Sequence, residues 1–372
     1  MTRAPSATRG LAVEPGADTA SWASLYDVVG ERLEALISLL ALRHQAATIG
    51  RTYRRLCSES LAVPVGDRPL RRSRLNADGT PFQLALALGA GTPPLQFLAD
   101  TGPPLADNDV RLAAARDGVE ELAHLLGAAD SLPHARALLD ELAPPDALDL
   151  LADEAGAIWL GASFASGRNP QLKVYVNLKW GTEASRRARL QSVAASSGLA
   201  APWERIRPHV EGLLGPLGVS LDLAAGRAIA GRIYLSGYGR SVREYEALAG
   251  ACDSALEDCV RRYCTILLGD DRHQPTRSAV FSLGGQPGSP PEYKLELCAH
   301  CALASDVEAR ERSLEWLDEI GISPRPYLRV LDILSPGPLG HSATELHVYL
   351  GVGTRQGAAY STFYLNPAVG IR

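Results

Sequence analysis

The sequence lacks the features that would place it in a membrane, on a nucleic acid or among the nucleotide-binding α/β enzymes. Its longest apolar stretch near the start, residues 33–42, is too short to span a bilayer and is broken by Glu34. Basic residues are not in excess: 37 Lys and Arg stand against 42 Asp and Glu, a net charge of −5. No positive field is therefore available for a nucleic-acid backbone or an anionic lipid surface. No Gly-x-Gly-x-x-Gly or Walker-type turn occurs, which argues against a doubly wound dinucleotide or P-loop domain. Cysteine is sparse, six in 372 residues, and no apolar signal segment precedes the body. Free thiols and cytoplasmic residence are expected.

What is present describes a folded globule: 46% of the residues are hydrophobic and 21% charged. Residues 1–20 are expected to be a flexible leader to one domain over residues 21–372. Helical spacing of apolar residues predicts helices over 24–42, 107–126, 131–142, 182–196, 203–214, 241–248 and 306–320. Between them lie five pairs of short apolar runs joined by Gly and Pro, which predict hairpins: 82–88 with 95–99, 158–164 with 172–178, 219–223 with 228–235, 278–283 with 293–298, and 345–352 with 359–365. A unit of helix, hairpin and helix recurring about every 60 to 75 residues is a repeat architecture. Ten antiparallel strands flanked by helices close most simply into one barrel, an α+β fold wide enough to hold small molecules.

Period-2 alternation sends every second strand residue into the lumen. Lys173 and Tyr175, Arg232 and Tyr234, and Lys294 and Glu296 are each two apart on a second strand. A cation followed by a polar or aromatic residue in successive hairpins would build a ring of positive charge beside a ring of tyrosines. Outward-facing residues would instead be solvated charges and half-buried rings. If inward, cations sharing a pocket call for a polyanion such as a diphosphate. Cys298, His300 and Cys301 also stand close together, but Cys252, Cys259 and Cys264 offer no second ligand pair at a standard zinc spacing, so structural thiols and no metal are expected.

From residue 24 to the end, the sequence resembles bacterial members of the dimethylallyltryptophan synthase family, the indole prenyltransferases of the ABBA barrel fold. The family's second-repeat lysine and tyrosine match Lys173 and Tyr175, and its third-repeat cation and tyrosine match Arg232 and Tyr234. In the last hairpin a tyrosine, an arginine six residues on and a tyrosine nine beyond match Tyr349, Arg355 and Tyr364. The resemblance implies electrophilic transfer of a dimethylallyl or longer prenyl group from its diphosphate to an indole or tryptophan-derived acceptor. Lys173, Arg232, Lys294 and Arg355 would bind the diphosphate. Tyr175, Tyr234, Tyr349 and Tyr364 would shield the allylic cation. It implies no required cofactor, with magnesium inessential, no nucleic-acid or membrane partner, and a monomer or homodimer.

The chain departs from the family at several positions. Gln83 replaces an acidic residue that accepts the indole N–H, and Gln96 replaces a diphosphate-binding arginine. Ala230 stands where a further arginine is usual, Glu296 where a tyrosine is, and Lys294 where a glutamine is. Gln83 and Gln96 are expected in the acceptor pocket. Fungal relatives use a lysine in the second hairpin as proton acceptor, but the stretch from Ala155 to Lys173 offers only Arg168, which cannot serve as a base. Glu296 is therefore the nominated base, with His347 and water as alternatives. The lost arginines also leave open a barrel put to another reaction, such as cyclisation, or a non-catalytic binding barrel.

Overall fold

The computed structural model describes residues 23–65, 73–89, 95–103, 106–144, 156–271, 273, 275–355 and 357–368. The expected leader lies outside the described residues. Ten strands, β1 Phe82–Leu88, β2 Leu95–Ala99, β3 Ile158–Phe164, β4 Gln171–Asn177, β5 Gly215–Leu223, β6 Ala230–Tyr238, β7 Ser278–Gly285, β8 Glu292–Cys298, β9 His347–Arg355 and β10 Ala358–Leu365, pair antiparallel in chain order. The sheet closes where β1 meets β10, from Leu84 opposite Leu365 to Leu88 opposite Ser361. A closed sheet leaves no edge to aggregate. Each of the five hairpin connections carries a glycine in the left-handed region, Gly89, Gly167, Gly226, Gly288 and Gly357, with φ between 63° and 88°. A side chain is strained there.

Helices surround the barrel: α1 Leu25–Leu39, α2 Ala46–Cys57, α3 Asn108–Leu125, α4 Leu132–Leu142, α5 Glu183–Ser196, α6 Ala200–Val210, α7 Val242–Cys252, α8 Ser254–Leu268, the one-turn α9 Ala299–Ala302, α10 Asp306–Glu319 and α11 Arg325–Leu334. Helices precede every hairpin, giving the fivefold repeat. Capping boxes at Ser24 with Asp27 and Ser241 with Glu244 start α1 and α7, and Thr182 caps α5.

The sequence spacing misses α2, α8 and α11. At least half of the buried stripe of α2 and of α8 is Thr, Tyr or Cys, namely Thr52, Tyr53 and Cys57, and Cys259, Tyr263 and Cys264, whereas α11 buries Tyr327 with the aliphatic Val330, Leu331 and Leu334. Strand bounds also differ. β5 begins at Gly215, four residues before the expected 219; β8 begins at Glu292 and β9 runs on to Arg355.

The apolar strand residues point outwards and form one continuous core with the helices. Phe82 of β1 lies edge-on to Tyr53 of α2, and Phe363 of β10 stacks on Tyr327 of α11. Leu160, Val174, Leu221, Ile233, Leu283 and Leu295 are fully buried on this side. Each is worth roughly 1.5–3 kcal/mol of burial. The residues between them necessarily face the lumen.

Asp306, the first residue of α10, anchors the start of β9. Its carboxylate accepts the backbone N–H groups of Glu345, Leu346 and His347 at 2.8–3.0 Å and lies 2.8 Å from Nδ1 of His347. Nε2 of His347 meets the hydroxyl of Tyr327 at 2.7 Å. Burial alone would raise the Asp306 carboxyl, but the hydrogen bonds from His347 and the backbone outweigh it and hold the group below the usual aspartate value. The ion therefore contributes fully above the unfolded aspartate value, about 3.9, and its contribution disappears as pH falls towards the lower folded value. Asp306→Ala is expected to cost about 2–4 kcal/mol in urea denaturation at pH 7. The difference from the unsubstituted protein should shrink as the pH falls below about 4.

Candidate active site

The lumen is divided into two ends. One end holds an open chamber of about 1020 Å³. Its walls include Gln83 and Ala85 of β1, Gln96 and Leu98 of β2, Trp159, Tyr175, Tyr234, Glu296, Tyr349 and Tyr364, and residues 73–79 form part of its mouth. The other end is packed with charge.

All eleven residues singled out from the sequence converge on this lumen. Gln83 and Gln96 share the β1–β2 wall, with Ala85 opposite Gln96 in register. The Gln83 amide nitrogen donates to the Leu75 carbonyl at 2.9 Å, which leaves its oxygen as the end able to accept an N–H from a bound ring. Tyr175 and Tyr234 lie with ring centroids 6.0 Å apart, and Tyr349 meets Tyr364 edge-on at 6.1 Å. Burial is the leading cause that raises all four phenols above the ordinary tyrosine value, so they remain neutral near pH 7. Their faces offer electron-rich surface without a phenolate that could trap an electrophile.

Every cation at the far end has an acidic partner. Lys173 is directly opposite Asp222 of β5 in register, with Nζ 2.6 Å from a carboxylate oxygen. Glu292, at the start of β8, joins Arg232 and Arg355: its carboxylate takes Arg232 Nη2 at 3.1 Å and Arg355 Nη2 at 2.9 Å. Burial would push Glu292 up, but the two guanidiniums overcome it and hold the group below the usual glutamate value. Lys294 pairs with Glu296 and donates to the Tyr364 hydroxyl at 2.7 Å, while that hydroxyl donates to Glu296 at 2.5 Å. Burial lowers the Lys294 pKa against the pull of Glu296.

Glycines make room for these side chains. A Cβ on Gly284 would lie 2.6 Å from Cζ of Arg232, and one on Gly353 would lie 2.8 Å from the Tyr360 ring. Ser282 completes the Arg232 seat with a hydrogen bond of 3.1 Å.

His347 does not share the lumen with Tyr349, although it lies two residues earlier. The register shifts where Tyr364 pairs with Tyr349 and Leu365 with His347, and the imidazole is held by Asp306 and Tyr327 instead. As an alternative base it is thus replaced by a structural anchor. Sequence spacing also passed over Asp222, Glu292, Trp159 and Tyr360. Asp222 is on a first strand, outside the second-strand pairs that carry the cation pattern. Glu292 stands one residue before the expected start of its strand and on the same face as Lys294 and Glu296.

The three carboxylates leave four cations with one net positive charge. Glu292→Ala would set Arg232 and Arg355 side by side without compensation. It is expected to lower stability by about 1–3 kcal/mol, measured by thermal unfolding, with much of the loss restored by millimolar sulfate or inorganic diphosphate.

No family model matches the sequence. Several solved structures do. The 6-dimethylallyltryptophan synthase from Micromonospora olivasterospora in complex with DMASPP and Trp superposes with a TM-score of 0.80 at 21% identity, covering 93% of this chain and 98% of that one. The 5-dimethylallyltryptophan synthase from Streptomyces coelicolor gives 0.77 at 21% identity over 95% of this chain and all of that one. The prenyltransferase PriB, in ternary complex with L-tryptophan and dimethylallyl thiolodiphosphate, gives 0.78 at 22% identity over 93% and 96%. The chain has the helix-jacketed ten-stranded barrel of these prenyltransferase structures.

Proposed function

We propose that the barrel transfers a prenyl group, dimethylallyl or longer, from its diphosphate to an indole or tryptophan-derived acceptor. The observation that carries this reading is the juxtaposition of Lys173, Arg232 and Arg355 with a tyrosine-lined chamber inside one closed sheet. Similar barrels have been solved with tryptophan and a dimethylallyl thiolodiphosphate, which supports the same pair of substrates here.

Donor binding is an exchange of partners. Asp222 and Glu292 are each 22% exposed, whereas Lys294 and Glu296 are sealed at 8% and 7%. The first two carboxylates can turn aside; the Lys294–Glu296–Tyr364 unit stays closed. That frees Lys173, Arg232 and Arg355, three positive charges, for a diphosphate ester of roughly three negative charges. The match needs no magnesium.

The C–O bond to the diphosphate then breaks, and the electron pair leaves with the phosphate oxygens, stabilised by the same three cations. The allylic cation is covered by Tyr175, Tyr234, Tyr349 and Tyr364, which exclude water and offer their π faces. The acceptor ring lies in the chamber with its N–H on Gln83 and Gln96 beside it. A ring carbon forms the new C–C bond, and the ring proton passes to Glu296, which faces the chamber and is linked to Lys294 and Tyr364. At the mouth, Arg74 and Lys179 place two cations near one another, which suits an acceptor with a carboxylate tail. Lys179 is lowered by burial and then by Arg74.

The test is mass spectrometry after incubation with dimethylallyl or geranyl diphosphate and a panel of tryptophan and indole derivatives. A prenylated product with diphosphate release, unchanged when magnesium is omitted, is expected, and Lys173→Ala or Arg355→Ala should abolish it with the fold intact. Absence of any prenylated product across the panel would contradict the reading. A second expectation follows from the exchange. Asp222→Asn removes a competing negative charge and should tighten dimethylallyl thiolodiphosphate by roughly tenfold in calorimetric titration, whereas equal or weaker binding would show that Asp222 does not oppose the donor.

A further inference from the structure

One side-chain cluster at the chamber has no part in the reaction above. Cys298 ends β8, and the chain turns at once into α9, which folds His300 and Cys301 back towards the strand end. The ligand atoms of the three residues all lie within 4.8 Å of one another, the one such grouping of three or more His, Cys, Asp or Glu among the described residues. The Cys298 sulfur is 3.2 Å from Nδ1 of His300 and 3.5 Å from Nε2.

These spacings are close to what a tetrahedral ion imposes. Bonds of about 2.3 Å to sulfur and about 2.0–2.1 Å to nitrogen at the tetrahedral angle put the two ligand atoms about 3.6 Å apart. The lack of a second ligand pair in the sequence excludes a closed, four-ligand structural site. It does not exclude the open kind, in which three protein ligands leave a fourth position for water or a bound molecule.

All three residues line the chamber, and Cys298 lies opposite Tyr349 in register. The set of two sulfurs and one imidazole is borderline-soft, the donor class that favours zinc over magnesium or calcium. We propose that Cys298, His300 and Cys301 bind one zinc-class divalent ion whose fourth position opens into the acceptor chamber. The ion would sit at the far side of the tyrosines from Lys173, Arg232 and Arg355. It would hold a donor atom of a chamber ligand, such as an amine, a carboxylate or a thiol, and would take no part in holding the diphosphate. The site does not depend on the prenyl-transfer reading, and its test reads the metal alone.

The full chain, reduced with a phosphine and freed of metal, is titrated with cobalt(II) as a spectroscopic probe. One equivalent is expected to give the visible bands of a tetrahedral ion and a near-ultraviolet thiolate-to-cobalt charge-transfer band, both abolished on adding zinc. Cys301→Ser and His300→Ala, at a half-buried and an exposed position, leave the fold measurable by circular dichroism and should each weaken cobalt binding by about tenfold or more. Absence of the charge-transfer band overturns the proposal, as does a band that survives Cys301→Ser unchanged. A reduced protein that re-forms a Cys298–Cys301 disulfide and takes up no cobalt overturns it as well.

Discussion

The structure depends on one constraint: a closed antiparallel sheet must put half of its strand residues into a single enclosed space. Outside, the other half meets helices and is apolar. Inside, side chains have each other for company and little water. A charge there has to be answered, and in this barrel it is answered locally. Lys173 finds Asp222 on the next strand, Arg232 and Arg355 share Glu292, and Lys294 closes a small ring with Glu296 and Tyr364.

This pairing gives the lumen its polarity along the axis. The tyrosines, Trp159 and the two glutamines surround open volume, whereas the charged end is filled by its own ion pairs. The pairs also differ in exposure, and that difference separates a part that can yield to an incoming anion from a part that stays sealed. An ion pair inside a protein contributes little net stability compared with well-packed apolar residues. Retaining three of them around one space is more readily understood as preparation for a charged ligand than as a device for holding the barrel together.

The barrel was legible because glycine- and proline-marked hairpins recur at regular intervals, and period-2 alternation then placed Lys173, Tyr175, Arg232, Tyr234, Lys294 and Glu296 on the lumen face, while Tyr349, Arg355 and Tyr364 came from the family resemblance. Glu292 was not legible because it stands one residue outside the run of alternating apolar residues that marks β8, although it completes a Glu-x-Lys-x-Glu face. Asp222 could have been found by the same parity rule applied to first strands. His347 was misplaced because a register shift breaks the alternation between it and Tyr349. The helices α2 and α8 were hidden because Tyr, Thr and Cys make up at least half of their buried stripes, which hydrophobic spacing undervalues, whereas α11 buries Val330, Leu331 and Leu334 beside Tyr327 at ordinary helical spacing. The Cys298 cluster was visible as letters, but its convergence depends on the turn into α9, which no spacing rule supplies.

The central claim is that a diphosphate takes over the three freed cations by displacing two carboxylates. A crystal structure with dimethylallyl thiolodiphosphate tests it most directly. Phosphate oxygens are expected within hydrogen-bonding distance of Lys173, Arg232 and Arg355, with Asp222 and Glu292 turned away and the Lys294–Glu296–Tyr364 ring undisturbed. A diphosphate ordered elsewhere, or bound while both carboxylates keep their present partners, would contradict it.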